Sequence, residues 1–543
     1  MSDPRTRRPA VESPGEHAPW WKTAVVYQIY PRSFADSDGT SPRSGAGVGD
    51  LQGIRDHLDH LVWLGVDAIW ISPFYRSPMK DAGYDICDYC DVDPLFGTMD
   101  TFDELLADAH RHGIRVLVDF VPNHTSDEHP WFRESRSSRD NPKRDWYIWR
   151  DEPNNWRAAL GAGSAWQWDD RTKQYYLHLF LPSQPDLNWR EPGVRDAMHD
   201  VLRFWMDRGV DGFRIDVAHC VGKDPTFADD PRCAAGIPLS SFNDQPFSHE
   251  VLRGIRKLVD SYPDDRVTVG EVNIRNPEVV AQYYGRGEEL HLAFNFPLLD
   301  APWDAVLWRQ VIRDTTKWFE AAGAWPTWVL SNHDNGRPRT RYGGSMRRTR
   351  AAALLLLTLR GTPFVYQGDE LGLEDVVVND TTRVDPGGRD GSRAPLPWEP
   401  EFPYGWRGGH PWLPFPPDAD RLNAATQRAD RGSILHLYRD LLAIRRATPA
   451  LRVGDFEELE SDPQLLAYRR CHGDQERVVV VNFDGERRRL PLPGRWCVEI
   501  DTADRDGRRV GAGYDGWVEP EHGLLLRPEH QRPAHEANGG DPR

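Results

Sequence analysis

The 543-residue chain lacks a long apolar run, a basic tract and any dense set of thiols. Its longest purely aliphatic stretch, Ala351 to Leu357, is far short of the roughly 20 residues that cross a bilayer, so no helical membrane span is expected. The first twenty residues are charged and Pro-rich without the apolar segment of a secretory signal, which makes the cytoplasm the expected location. Against 84 acidic residues stand 67 basic ones, a formal charge of −17 with no compensating basic cluster, and this excludes nucleic acid as a partner. The six cysteines are Cys87, Cys90, Cys220, Cys233, Cys471 and Cys497. Their one C-x-x-C has neither the second pair nor the nearby histidines of a zinc site, so they read as buried free thiols in a reducing compartment.

Large side chains are plentiful instead. The 22 Trp, 20 Phe and 17 Tyr supply area for packed cores and exclude disorder throughout. At about 150 residues per domain, and about 250 for an α/β barrel, the length predicts two or three domains. The two ends, 1–19 and 527–543, are Pro-rich and polar and read as disordered.

Between them an amphipathic stretch is repeatedly followed by a short apolar run. Leu51, Ile54, Leu58, Leu61 and Leu64 share one helical face, Gly65 is a stop signal, and Asp67 to Ser72 reads as a strand. The step recurs with a capping box at Thr101 and Glu104, then the strand Arg115 to Phe120, and again after Pro192 with the strand Gly212 to Val217. Ala24 to Tyr30, Arg266 to Val272, Leu292 to Pro297, Thr327 to Leu330 and Thr362 to Tyr366 bring the strands to eight. The fold class is therefore α/β, with a (β/α)₈ TIM barrel over 20–124 and 186–448; a doubly wound open sheet is the alternative. The long aromatic and polar stretch 125–185, after the third strand, is predicted to be an inserted subdomain. Short alternating stretches over 449–526 predict a C-terminal antiparallel β domain.

A barrel gathers its chemistry at the C-terminal ends of the strands. There stand Asp119-Phe-Val-Pro-Asn-His124, Gly212-Phe-Arg-Ile-Asp-Val-Ala-His219, Val269-Gly-Glu-Val-Asn273 and Leu330-Ser-Asn-His-Asp-Asn-Gly-Arg337. One terminal Asp among so many acids is most simply a cap or a surface ion pair, but four strand ends doing this together point to a site. Asp216, Glu271 and Asp334 converge on one mouth, and crowding there keeps one acid protonated near neutral pH. A protonated acid beside an ionised nucleophile is the equipment of retaining glycoside hydrolysis. Arg214, two residues before Asp216, points the same way along the strand and favours its ionised form.

These four segments, with Gln184-Pro-Asp-Leu-Asn-Trp189 and Gly83-Tyr-Asp85, resemble the ordered motif set of the α-amylase superfamily, glycoside hydrolase family 13, in its α-glucosidase and oligo-1,6-glucosidase branch. The resemblance spans about Trp20 to Asn482. It implies Asp216 as nucleophile, Glu271 as acid/base and Asp334 as the carboxylate that grips sugar hydroxyls. It implies His124 and His333 as hydrogen-bonding partners of the sugar in the −1 subsite, Tyr84 as the platform beneath it, and Asn123 and Asp119 as supports. In exo-acting members an Asp after that Tyr pairs with an Arg from the eighth-strand loop to grasp the non-reducing end; Asp85 and Arg393 are the matching residues here. The implied activity is a retaining exo-α-glucosidase releasing α-glucose from short maltose- or isomaltose-type α-glucosides through a covalent glucosyl-enzyme.

No cofactor is required for such chemistry. The loop with Asp36, Asp38 and Asp50 resembles the branch's Ca²⁺ or Mg²⁺ loop, a structural cation site, although Thr40 replaces a usual carboxylate and Ser41 to Gly47 reads as inserted. Val217, after the implied nucleophile, resembles the residue of enzymes acting on α-1,6 bonds or on sucrose, and linkage preference stays open. A transglucosylase or sucrose-converting enzyme would share every residue named, since only the acceptor differs. A non-catalytic amylase-like binding module is disfavoured because all three carboxylates are present. The expected partner is a small oligosaccharide, with neither nucleic acid nor membrane, and the oligomeric state is left open.

Overall fold

The computed structural model describes residues 18–39, 47–161, 163–231, 243–379, 383–407, 411–503, 509–531 and 533. Expectations for 1–17, for Thr40 to Ala46, for Cys233 and for 534–543 lie outside the described residues. Eight short strands run parallel: β1 (Val26–Ile29), β2 (Ala68–Ile71), β3 (Arg115–Phe120), β4 (Gly212–Ile215), β5 (Val267–Gly270), β6 (Leu292–Ala293), β7 (Thr327–Val329) and β8 (Thr362–Tyr366). Their hydrogen-bonded order is β6-β5-β4-β3-β2-β1-β8-β7. The seam between β6 and β7 is joined by a side chain, because Thr327 Oγ1 donates to Ala293 O at 2.8 Å and accepts from Asn295 N at 3.2 Å. The sheet thus closes into the barrel, and the open-sheet alternative is set aside.

Nearly every strand residue is buried, as expected of strands with side chains on one face and helices on the other. Val26, Trp70, Leu117, Val269, Leu292, Phe294, Val329 and Phe364 pack with one another in one core cluster. The helices carry the predicted faces. Gly65 ends the helix Leu58–Leu64 at φ 93°, a conformation that favours glycine. The helix expected to start at Thr101 starts at Met99 instead: Thr98 is extended, and its hydroxyl accepts from Thr101 N at 3.2 Å, so Thr101 lies inside the first turn. Among the described residues no helix is long and apolar enough to cross a membrane.

Between β3 and β4 the chain forms a helix, Pro130–Ser135, and a three-stranded sheet of Trp149–Arg150, Gln174–Leu177 and Trp166–Asp169. This subdomain has its own cluster, Ile148, Trp156, Ala165, Trp166, Leu177 and Leu179, which also takes in Val217 and Cys220 from the loop after β4. Buried Lys223 pins its base, donating to Asn123 Oδ1 at 2.6 Å and lying 2.8 Å from Asp186 Oδ2. After the barrel come β9 (Asp455–Glu458), β10 (Leu465–His472), β11 (Gln475–Asn482), β12 (Trp496–Asp501) and β13 (Gly523–Pro528), an antiparallel sheet in the order β9-β10-β11-β13-β12. The last strand runs to Pro528, so Arg527 and Pro528 belong to the sheet rather than to a disordered tail. Of the five described cysteines, all free, only Cys220 is buried. Cys87, Cys90, Cys471 and Cys497 are half-buried, because they lie in or beside antiparallel strands with a solvent side.

Candidate active site

Arg214 organises the mouth of the barrel. It faces Asp119 across the β3–β4 ladder, and Asp216 lies two residues on, on the same side. The parallel pattern continues one step past the strands, with Asp216 N donating to Phe120 O and Glu271 N to Ile215 O, both at 2.8 Å. Asp119, Asp216 and Glu271 are thereby held on one guanidinium. Nη1 donates to Asp119 Oδ1 at 2.7 Å and Asp216 Oδ1 at 2.6 Å, and Nη2 to Glu271 Oε2 at 2.5 Å. Glu271 Oε2 also accepts from Val217 N at 3.1 Å. Asp216 Oδ2 and Glu271 Oε1 accept nothing from the described residues and are the two oxygens left to a ligand.

One positive charge faces three carboxylates. Burial pushes Asp216 well above the usual carboxylate range; Arg214 opposes this, while Glu271 and Asp119 add to it. Asp119 is pushed up to about 6, again by burial first, against Arg214. Burial and mutual repulsion thus oppose full ionisation of Asp216 and Asp119, and Arg214 favours it.

Asp334 stands across the site in a turn shaped by Asn332, whose Oδ1 accepts from Asp334 N at 2.8 Å and from Asn335 Nδ2 at 2.9 Å. Burial opposes its anion, but His333, Arg389 and Arg393 outweigh burial and hold its carboxyl well below the ordinary range. His333 is driven down to about 3, chiefly by burial, and is neutral. Gln28 Nε2 meets its Nδ1 at 2.7 Å, which leaves Nε2–H for Tyr84 OH at 2.7 Å, with Asp334 Oδ2 at 3.3 Å. Tyr84 stacks on that ring, with centroids 5.4 Å apart and planes 6° from parallel. His124, also lowered by burial, lies between Asn123 Nδ2 at 3.2 Å and Gln184 Nε2 at 3.1 Å.

The ion pair that walls the pocket differs from the one expected. Asp85 does not meet Arg393. Its Oδ1 accepts from Ser77 Oγ and Asp81 N, and its Oδ2 from Lys80 N, so it is spent on folding its own loop. Arg393 is fully buried, donating to His333 O at 2.7 Å and Asp334 Oδ1 at 2.8 Å. The crossing pair is Asp81 with Arg389, at 2.5 Å, and Arg389 also reaches Asp334 Oδ1 at 3.1 Å and Asp385 Oδ1 at 2.6 Å. Gln184 Nε2 holds the other oxygen of Asp81 at 2.9 Å. The subdomain also approaches the loop after β8, where a Cβ added to Gly387 would stand 3.0 Å from Leu160 Cδ2. Asp81, Arg389 and Gln28 were not singled out from the sequence, and Gln184 entered only as the first residue of a motif, with no role of its own. Gln28, a lone polar residue in an apolar strand, was the readable signal among them.

In the first loop, Asp36, Asp38 and Asp50 each bring a carboxylate oxygen within 4.8 Å of the others. Asp50 has further duties, accepting from Gly53 N as a helix cap and from Ser37 N and Oγ. Burial raises it and the Asp36 charge adds to this, a crowding that a hard cation would relieve. The donor set fits Ca²⁺ or Mg²⁺.

Residues 28–454 match the family model for the alpha amylase catalytic domain. The chain is 42% identical over 512 residues to a probable alpha-glucosidase of Rhizobium meliloti (strain 1021), covering 87% of this chain and 91% of that protein. It is 38% identical over 527 residues to an oligo-1,6-glucosidase of Parageobacillus thermoglucosidasius, covering 87% and 92%. Among solved structures, the alpha-glucosyl transfer enzyme XgtA superposes with a TM-score of 0.85 at 39% identity, over 94% of this chain and all of that one. With its carboxylates gathered at the mouth of a closed barrel, the chain belongs to the α-amylase family, glycoside hydrolase family 13, among the α-glucosidases and oligo-1,6-glucosidases.

Proposed function

We propose that this enzyme is a retaining, exo-acting α-glucosidase that releases α-glucose from the non-reducing end of maltose- or isomaltose-type substrates. The observation that carries this reading is that Asp216 and Glu271 share one guanidinium. Carboxyls held that close suit the separation of about 5 Å used in retention better than the 6.5–9.5 Å, roughly, that leaves room for an inverting water. Asp216 attacks the anomeric carbon through Oδ2 as Glu271 passes its proton to the glycosidic oxygen. The aglycone leaves, and a glucosyl ester on Asp216 remains. Glu271, now ionised, takes a proton from water, and the hydroxide displaces Asp216 with a second inversion. Asp334 accepts hydrogen bonds from sugar hydroxyls, with His333 and His124 beside it, and Tyr84 lies under the ring.

An Asp81–Arg389 pair beside Asp334 would close one end of the site, and this supports removal of single glucose units rather than internal cleavage. The similarity to a glucosyl transfer enzyme favours a second reading, in which another sugar replaces water as acceptor. Timed product analysis separates the two. The purified enzyme is offered maltose, isomaltose, sucrose and trehalose separately, at low and high concentration. Free glucose from maltose or isomaltose at low concentration supports hydrolysis. Longer or isomeric sugars that dominate at every concentration would make it a transglucosylase.

A further inference from the structure

Val217 combines three features that belong together. Its backbone is left-handed, φ 34° and ψ 47°, a conformation that β-branched residues rarely adopt. Its side chain is buried in the core of the inserted subdomain, in one cluster with Trp156, Trp166, Leu177 and Leu179. Its N–H donates to Glu271 Oε2 at 3.1 Å, the same oxygen that Arg214 Nη2 holds. That N–H lies in the peptide plane shared with Asp216, and φ at Val217 fixes its direction relative to the Val217 side chain. The packed side chain holds this strained φ and with it the direction of the amide toward Glu271.

We propose that Val217 is a positioning residue through which the inserted subdomain controls the acid/base. The subdomain core grips the Val217 side chain, the grip fixes the unusual backbone, and the amide so aimed selects Oε2 as the anchored oxygen. Oε1 is thereby presented to the glycosidic bond, and the anion left after proton transfer is stabilised. The proposal rests on Glu271 being the acid/base. The other titratable groups facing Glu271 are Arg214 from β4, Asp119 from β3, and Asp216, His219 and Cys220 from the loop after β4. None of them donates to Oε2 except Arg214.

The test reads the basic limb of kcat/KM against pH, with the better hydrolysed of maltose and isomaltose as substrate. Replacing Val217 by its α-hydroxy acid analogue turns the amide into an ester, which removes the donor and keeps the side chain. Loss of a donor to the anion raises the pKa of the acid, so the limb moves up by about one pH unit. Val217→Ala keeps the N–H and the cost of a left-handed backbone but loses the anchor, and moves the limb the same way; Leu177→Ala, in the subdomain core, does so by less. Val217→Thr, of the same branched shape, leaves the limb in place. A folded, active ester variant with the wild-type limb overturns the proposal, and if the ester variant does not fold, an unmoved limb in Val217→Ala does so. Glu271→Ala tests the premise separately: rate on an activated aryl glucoside regained with azide upholds the acid/base reading, and no rescue removes both.

Discussion

Three carboxylates on one guanidinium cannot all be ionised cheaply in a buried site, and the excess negative charge would supply the acid and the base that the proposed mechanism needs. In the proposed mechanism protonating Asp216 removes the nucleophile, and burial has raised its pKa, so activity should be lost as the pH falls through that raised value. The acid limb of kcat/KM should therefore lie above the ordinary Asp value of about 3.9, and a limb at or below that value would contradict the burial argument. At the far wall, Asp81→Asn removes one charge of the crossing pair and leaves Arg389 aimed at Asp334 and Asp385 alone. Loss of a charge-assisted contact predicts a fall of roughly 10- to 100-fold in kcat/KM on maltose, read from steady-state kinetics. An unchanged value would take Asp81 out of the pocket wall. That Asp216, Glu271 and Asp334 would gather at one mouth was legible because barrel strands deliver their ends to one place. The wall pair was not: Asp81 and Asp85 share a loop, as do Arg389 and Arg393, and only the fold of each loop decides which member reaches across.

At the scale of elements, all eight barrel strands were legible as apolar runs, since strands buried on both faces need no alternation. Boundaries were less so. Thr98 and Thr101 are both good caps by type, and the extended backbone at Thr98 decides between them. What no local pattern announces is the joint between the inserted subdomain and the barrel. Phe227 O accepts from Arg150 Nη1 and Asn154 Nδ2, and Ala228 O from Trp156 Nε1, so the loop after β4 is part of the subdomain's packing. Buried Lys223, from that same loop, is the strongest single tie. Lys223→Met leaves Asp186 an uncompensated buried charge and should destabilise by about 3–5 kcal/mol, seen as a lower denaturation midpoint in urea. A midpoint equal to wild type would show the tie to be weak.

Over the whole molecule, the barrel holds the site and the loops decide its shape. The seam at Thr327 closes the sheet without a ladder bond between β6 and β7, a joint that strand patterns could not foretell because it is made by one hydroxyl. In the first loop Asp50 caps the following helix, and a cation held among Asp36, Asp38 and Asp50 would bind only the folded chain. Ca²⁺ or Mg²⁺ at 100 times its dissociation constant should add about 2.7 kcal/mol. A rise in melting temperature that saturates with the ion and vanishes in Asp38→Asn would bear this out; no rise with either ion would empty the site. The central claim is a covalent glucosyl ester on Asp216, and it is tested most directly by trapping. The enzyme is incubated with 5-fluoro-α-D-glucosyl fluoride, whose ester hydrolyses slowly, then digested and mapped by mass spectrometry. The account predicts one fluoroglucosyl adduct on the peptide bearing Asp216, absent from Asp216→Ala. An adduct on another residue, or turnover of the reagent with no adduct at all, would contradict it.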